Sequence, residues 1–222
     1  MSPRRRASVL RELVIGVPLM KRSERKLWAS AQSLTDLAEL TARWLAGELE
    51  QTPGYLGPPN LETAEIAPTL IRINRAGFLT TASQPGADEV NARGHWRQRA
   101  AVEIVASPGE HADLLLTEAR RAGLQVVVFE GAPRRVTQTE VPVTTRDGGG
   151  VTSFGVGLSR RDVATYLVDG CSKAATRDVV TGWQITIIDP EWGPTDTLWR
   201  VLDKVADQVT GQPQNHLTGG AA

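Results

Sequence analysis

The chain has 222 residues, 41% hydrophobic and 23% charged, and its 25 basic and 25 acidic side chains give a formal net charge of +0. These proportions are typical of a globular protein with a core of its own, and the zero net charge argues against a dedicated nucleic-acid binder, which needs a basic face. The single cysteine, Cys171, excludes a disulfide framework and a cysteine-rich zinc site and favours a cytoplasmic location.

Residues 1–26 are predicted to form a flexible basic arm. Three arginines, Arg4–Arg6, precede an apolar patch over Leu13–Met20, but the charged residues that follow interrupt the run that a secretory signal requires. No apolar run approaches the roughly 18 residues of a membrane span, so no membrane association is expected.

The first half of the remaining chain is predicted to contain two helices and then two strands. Apolar residues at three- and four-residue steps indicate a helix over Leu27–Glu50, with Thr35 as an inner cap, and the prolines and glycines of TPGYLGPPN form a loop over Thr52–Asn60. Asn60 is expected to cap a second helix over Leu61–Arg75, kinked or divided at Pro68. Strands are predicted over Phe78–Ala82 and Arg99–Ala106, with a polar loop over Asp88–Trp96 between them.

The second half alternates helices and strands. A helix over His111–Ala122 precedes an apolar run, Leu124–Phe129, that is typical of a buried strand, and residues 132–150 are predicted to be an insertion. The remaining predictions are a strand over Val151–Leu158, a helix from Arg160 past Gly170 toward Val180, a strand over Trp183–Ile188, a helix over Leu198–Val209 capped by Asp196, and a disordered tail over 211–222.

This order of elements predicts an α/β or α+β fold. Residues 27–210 would form a single domain, with a mixed sheet built from two strand–helix–strand units and an N-terminal helical layer.

Polar groups gather where the first predicted strand ends, in the segment RAGFLTTASQPG of residues 75–86. Hydroxyls, an amide and backbone N–H groups at such a place can hold a phosphate or a sugar. The segment lacks the GxxxxGK[ST] pattern of a P-loop, and Ser-Gln-Pro-Gly is also ordinary β-turn chemistry, so pocket and turn both remain open. The candidate ligand-binding residues here are Thr80, Thr81, Ser83, Gln84 and Gly86.

Gln98 and Arg99 open the next predicted strand and complete the candidate set. If the two strands are neighbours, the Arg99 guanidinium would clamp a phosphate or carboxylate while Gln84 reads the ligand by hydrogen bonds. The alternative is an exposed arginine in a surface ion pair. Trp96 and Trp192 lie in polar segments, where they would stack a base or sugar or cover the edge of the core.

Two further groups of residues are candidates for metal binding or catalysis. Asp189 and Glu191 flank a proline at the end of the last predicted strand and are candidates for a divalent metal or for acid–base work, although Asp-Pro also starts turns. Cys171 has no histidine nearby in sequence, which favours a buried structural thiol over a nucleophile.

Four segments together resemble an uncharacterised family of hypothetical proteins from actinobacteria, with similar reading frames in phage and integrative elements. They are KLWASAQSLTDLAELTARWL, RAGFLTTASQPG, WRQRAAVE and WQITIIDPEWG, within roughly Leu27–Val209. The family has no assigned activity, so the resemblance does not identify a catalytic residue or a cofactor. The chain departs from the pattern at Glu103–Val105, where a glycine-aromatic pair is expected. The recurrent positions correspond to Thr80, Thr81, Ser83, Gln84, Pro85, Gly86, Gln98, Arg99, Asp189, Trp192 and Gly193.

The sequence therefore supports three functional hypotheses. The first is a cytoplasmic protein that binds a small polar or phosphorylated ligand at residues 83–86. The second is a protein-interaction or regulatory module of a phage or mobile element, based on Arg4–Arg6 and the TPGYLGPPN loop. The third is a divalent-metal-dependent enzyme that uses Asp189 and Glu191.

Overall fold

A computed structural model of the protein describes residues 20–135 and 140–211, which contain seven α-helices and eight β-strands. The mixed α/β class with helices at the N-terminal end is confirmed. The helices are α1 (Arg22–Ser30), α2 (Leu34–Leu45), α3 (Ala67–Arg75), α4 (Glu110–Arg121), α5 (Arg160–Tyr166), α6 (Lys173–Thr181) and α7 (Thr197–Thr210). The strands are β1 (Leu79–Gln84), β2 (Ala87–Asn91), β3 (Gly94–Gln98), β4 (Ala101–Ala106), β5 (Gln125–Glu130), β6 (Val141–Arg146), β7 (Gly149–Phe154) and β8 (Trp183–Ile188).

The strands form two antiparallel sheets instead of one mixed sheet. The core sheet has the order β1-β4-β8-β5, and the outer sheet has the order β2-β3-β6-β7. Strands β4 and β5 run in the same direction, but β8 lies between them, so helix α4 joins strands that are not neighbours. Sequence order alone could not show that β8 is inserted there.

One long two-stranded ribbon belongs to both sheets. The segment predicted as a polar loop, Asp88–Trp96, is a hairpin instead, in which β2 pairs with β3. Most of β2 is exposed, so this strand lacks the apolar alternation by which a half-buried strand is recognised. Strand β1 continues into β2 through Pro85 and Gly86, and β3 continues into β4 through Arg99 and Ala100. We call the place where this ribbon passes from the core sheet to the outer sheet the junction; it comprises Pro85, Gly86, Arg99 and Ala100 and the strand ends beside them.

Helices cover both faces of the core sheet. On one face, α3, α4 and α7 pack against residues of β4 and β8 such as Ile104 and Ile187. On the other, α1, α2, α5 and α6 enclose a second cluster that includes Leu79 and Val105. A small third cluster, with Val143 and the other apolar residues Ala101, Phe154 and Ile188, fills the junction between the sheets.

The predicted N-terminal helix is divided because Ser33 starts a new one. The Ser33 hydroxyl accepts from the Asp36 backbone N–H at 3.1 Å, and the Asp36 carboxylate accepts from the backbone N–H groups of Gln32 at 2.7 Å and Ser33 at 3.1 Å. These bonds, of which the one from the Gln32 backbone has the largest effect, hold the pKa of Asp36 below its ordinary value. The cap is therefore Ser33 and not Thr35, as a capping box requires. Residues 1–19 of the predicted arm lie outside the described residues.

Other predicted helices are also shorter than their patterns indicated. Pro68 stands in the first turn of α3, behind a short 3-10 helix, and Asn60 makes no capping hydrogen bond. The long helix predicted after Arg160 ends at Tyr166, and α6 starts anew beyond Gly170, whose φ is 75°. Asp196 does not cap α7 with its side chain but pairs with Arg200 at 3.0 Å. The predicted tail lies outside the described residues from residue 212 on.

Candidate functional site

The Ser-Gln-Pro-Gly segment is a bend in a continuous strand and not a chain-reversing turn. Ser83 and Gln84 are the last residues of β1, and Ala87 already belongs to β2. A bulge in the pairing of β1 with β4 precedes the bend, between Thr80 and Ala82. Bulges increase local twist, which is consistent with a strand that leaves one sheet for another.

The Gln84 carboxamide connects the strands at the junction, because both its nitrogen and its oxygen make hydrogen bonds. The side chain is 5% exposed, and its amide nitrogen donates to the Arg99 and Val143 carbonyl oxygens, both at 2.9 Å. Its oxygen accepts from the Thr144 hydroxyl at 3.1 Å. These bonds join β1, the second strand of the ribbon and β6, so the predicted ligand reader is a structural bridge.

The loop after β8 closes over the other side of the junction. Asp189, 3% exposed, donates its backbone N–H to the Ala100 carbonyl at 2.8 Å. The Asp189 carboxylate accepts from the Glu191 backbone N–H at 3.0 Å and from the Thr195 hydroxyl at 2.7 Å. Both of its oxygens therefore hold the loop in shape.

Glycine is required where this loop crosses the bend. A side-chain carbon added to Gly86 would lie 1.9 Å from the Gly193 carbonyl oxygen, far inside van der Waals contact. Gly193 also donates its N–H to the Gln98 carbonyl at 2.9 Å. The structure thus places Gly86 against the loop, where it permits close backbone approach.

The metal hypothesis finds no ligand cluster here. Glu191 is exposed, and both oxygens of Asp189 accept hydrogen bonds from the protein. Across residues 20–135 and 140–211, no group of three or more His, Cys, Asp or Glu side chains is arranged to hold a metal ion.

Arg99 lies on Trp192 and does not enter the cavity beside the junction. Its guanidinium carbon is 4.4 Å from the centre of the Trp192 ring, and that of Arg97 is 5.4 Å from it. Side chains alternate along a strand, so Arg97 and Arg99 point away from the side that Gln98 occupies. The predicted anionic clamp and the predicted amide therefore stand on opposite sides of the strand.

A cavity of about 500 Å³ lies on the Gln98 side of the junction, and we call it the junction cavity. It is bounded by α2, the loop over residues 52–60, strand β1 and the inner side of the outer sheet. Five of the seven predicted ligand-binding residues line it, namely Thr80, Thr81, Ser83, Gln84 and Gln98. Gly86 and Arg99 are absent from its lining.

The lining of the cavity is polar, aromatic and almost free of charge. Among the described residues that line it, the exposed Glu62 is the one charged side chain, and Lys, Arg and His are absent. Hydroxyls are contributed by Thr41, Thr52, Thr63, Thr80, Thr81, Ser83, Thr144 and Thr152, amides by Asn60, Gln84 and Gln98, and aromatic rings by Trp28, Trp44, Tyr55, Trp96 and Phe154.

Gln98 differs from Gln84, the other buried amide in the cavity, because its side chain has no hydrogen-bond partner in the described chain. It is 5% exposed, and its carboxamide makes no hydrogen bond with any residue in the described ranges. The Ser83 hydroxyl is likewise without a hydrogen-bond partner in this part of the chain. Because no protein group in the described ranges occupies it, the Gln98 amide is available to a molecule that enters the cavity.

The sequence did not point to the aromatic wall of this cavity. Trp44 donates its indole N–H to the Gly57 carbonyl at 2.9 Å, and its ring centre is 5.7 Å from that of Tyr55. Prolines and glycines identified the loop but gave no sign that it folds back over α2. Thr144 was missed because the strand that carries it appeared to be an insertion.

Cys171 is a partly buried thiol that packs beside the second core cluster. Burial raises the pKa of Cys171 to about 11, and the nearby Asp169 carboxylate adds to the shift. His95, which is distant in sequence, contacts Asp88 at 2.5 Å.

We expect Cys171 to react with iodoacetamide about a hundredfold more slowly at pH 8 than an unperturbed thiol, because only the thiolate attacks. Alkylation followed by mass spectrometry measures the rate, and the urea-unfolded chain is the control. A native rate equal to the unfolded rate would show that the thiol is not buried as described.

Two comparisons with known proteins bear on these residues. No curated protein matches the chain. Among residues 20–135 and 140–211, none of the helices combines the length and apolar character that a bilayer crossing demands. A family model described as a domain of unknown function, DUF6919, matches residues 23–209 and thereby spans every element of the junction. The chain belongs to this DUF6919 family.

Proposed function

We propose that the protein binds a small, uncharged polar ligand in the junction cavity. The observation that carries this proposal is Gln98, a buried carboxamide that lines the cavity and has no hydrogen-bond partner in the described chain. A ligand can pair with this amide without displacing a hydrogen bond that the described chain makes.

The size and charge of the cavity support an uncharged ligand. A volume of about 500 Å³ lies within the usual range for small-molecule sites. With Glu62 as its one charged lining residue, the cavity offers no cation to a phosphate, since Arg99 stands across the strand on Trp192. We therefore favour an uncharged ligand over the phosphorylated alternative.

A thermal-shift and calorimetric screen tests the proposal. The panel contains neutral sugars, polyols and nucleosides together with their phosphorylated counterparts. We expect a neutral member to raise the melting temperature, since binding to the folded state stabilises it, and its phosphorylated form to bind more weakly. Gln98→Leu should abolish the response without lowering the melting temperature of the free protein.

The matched control is Gln125→Leu, an exposed amide on β5, at the opposite edge of the core sheet from β1. It should leave binding unchanged. A panel without any response, or binding that survives in Gln98→Leu, would contradict the proposal.

An interaction module is a second proposed function. Leu61, which follows the TPGYLGPPN loop, is 94% exposed, and Leu56 within the loop is 44% exposed. Large apolar side chains that are exposed and near each other in the sequence favour contact with a partner. A regulatory role in phage or integrative elements, an actinobacterial range and a cytoplasmic location are further proposals, supported by the resemblance of the four segments and by the single cysteine.

A further inference from the structure

Trp96 and Gln98 stand side by side on the cavity face of β3. Both line the junction cavity, and residues two apart on a strand share a face at a separation of roughly 7 Å. On the neighbouring strand, Arg146 is opposite Trp96 and Thr144 is opposite Gln98. The Trp96 indole and the unpaired Gln98 carboxamide thus lie next to each other on one strand.

The Trp96 ring is held in place by a cation. The Arg146 guanidinium carbon lies 4.8 Å from the ring centre, a distance typical of a cation–π contact. The indole also borders the cavity, so a molecule that enters can contact it. On the facing wall, Trp44 and Tyr55 add two further rings.

The polar ends of these facing rings already have partners. The Trp44 N–H donates to a backbone carbonyl, and the Tyr55 hydroxyl donates to the Asn60 side chain at 3.3 Å. Thr81 donates its hydroxyl to the Glu103 carbonyl at 3.3 Å. A sugar carries hydroxyls around its whole ring and needs polar partners on every side, whereas a flat heterocycle needs them along one edge only and can face the rings with its apolar surface.

The Gln98 carboxamide has the shape of such an edge. Its oxygen accepts and its nitrogen donates, side by side in one plane, which complements the donor–acceptor edges of adenine, uracil and cytosine. Aromatic side chains stack nucleobases with little regard to their identity.

We propose that the ligand of the junction cavity is a nucleobase or nucleoside whose edge pairs with Gln98 and whose face stacks on Trp96. This inference rests on the proposed function, since it names the chemical class of the uncharged ligand.

Titration calorimetry with adenosine, uridine, cytidine and guanosine, and with ribose and glucose for comparison, tests the inference. We expect nucleosides to bind and the two sugars not to bind. Trp96→Leu should weaken nucleoside binding roughly tenfold or more through lost stacking. Arg97→Gln, on the opposite face of the same strand, is the matched control and should leave the affinity unchanged.

Gln98→Glu gives a readout that a merely structural role would not change. A carboxylate accepts two hydrogen bonds and donates none, so binding of adenosine, uridine and cytidine should fall roughly tenfold. Guanosine, which offers two neighbouring donors on one edge, should gain relative to the other three.

The outcomes separate this inference from the proposed function. Sugars that bind through Gln98 as well as nucleosides do would overturn the nucleobase assignment and leave the proposed function standing. A nucleoside affinity that is unchanged in both Trp96→Leu and Gln98→Glu would also overturn it. If no uncharged compound binds, the proposed function fails and this inference fails with it.

Discussion

Gly86→Ala is expected to lower the free energy of unfolding by about 3 kcal/mol, because the new methyl group has no space. The added carbon would lie 1.9 Å from the Gly193 carbonyl oxygen and 2.8 Å from its carbonyl carbon. These are backbone atoms, so no flexible side chain can move aside. The loop would have to withdraw and lose the bond from the Gly193 N–H to Gln98.

Urea unfolding measures this loss, and Gly150→Ala is the matched control. Gly150 lies on β7 with nothing within 4 Å of an added carbon, and its φ is outside the left-handed region. This control should change stability little. A similar small effect for Gly86→Ala would show that the loop does not rest on the bend.

Gln84→Leu is expected to cost about 2 kcal/mol, whereas Gln98→Leu should cost almost nothing. Replacement of Gln84 removes two bonds to backbone carbonyls and the acceptor for Thr144, which is only 1% exposed. Gln98 makes no such bonds in the described part of the chain, so an apolar side chain of similar size removes an unpaired amide.

The two variants control for each other, since both amides are 5% exposed and border the same cavity. Urea unfolding of both proteins under the same conditions gives the comparison. Equal losses would mean that Gln98 also supports the fold, and its role as a free ligand-binding group would be wrong.

Apolar patterns in the sequence correctly predicted those elements whose residues are buried in a regular pattern. The strand over Trp183–Ile188 is confirmed with the same bounds, because its apolar run reflects burial at the centre of the core sheet. The hairpin of β2 and β3 was missed since most of β2 is exposed and its residues are largely polar. Helix breaks at Ser33 and Gly170 depend on single residues that the apolar pattern around them obscures.

The candidate site could be located from the sequence but not divided into roles. Thr80 to Gln84 were recognised as polar groups at a strand end, and they do line a cavity. Gln84 and Gln98 are equivalent in composition, and what separates them is Val143 and Thr144, which are 59 and 60 residues beyond Gln84. Only the folded chain shows which amide is satisfied.

The place of β8 in the core sheet has a consequence for synthesis on the ribosome. Strands β4 and β5 leave the ribosome early and are joined by α4, but neither pairs with the other in the sheet. Strand β4 can pair with β1 as soon as it emerges, but its other edge and the pairing edge of β5 must wait for residues 183–188. Until then their apolar faces and open edges are available to chaperones or to other chains. Two of the three strand pairings of the core sheet therefore form only after β8 has been translated.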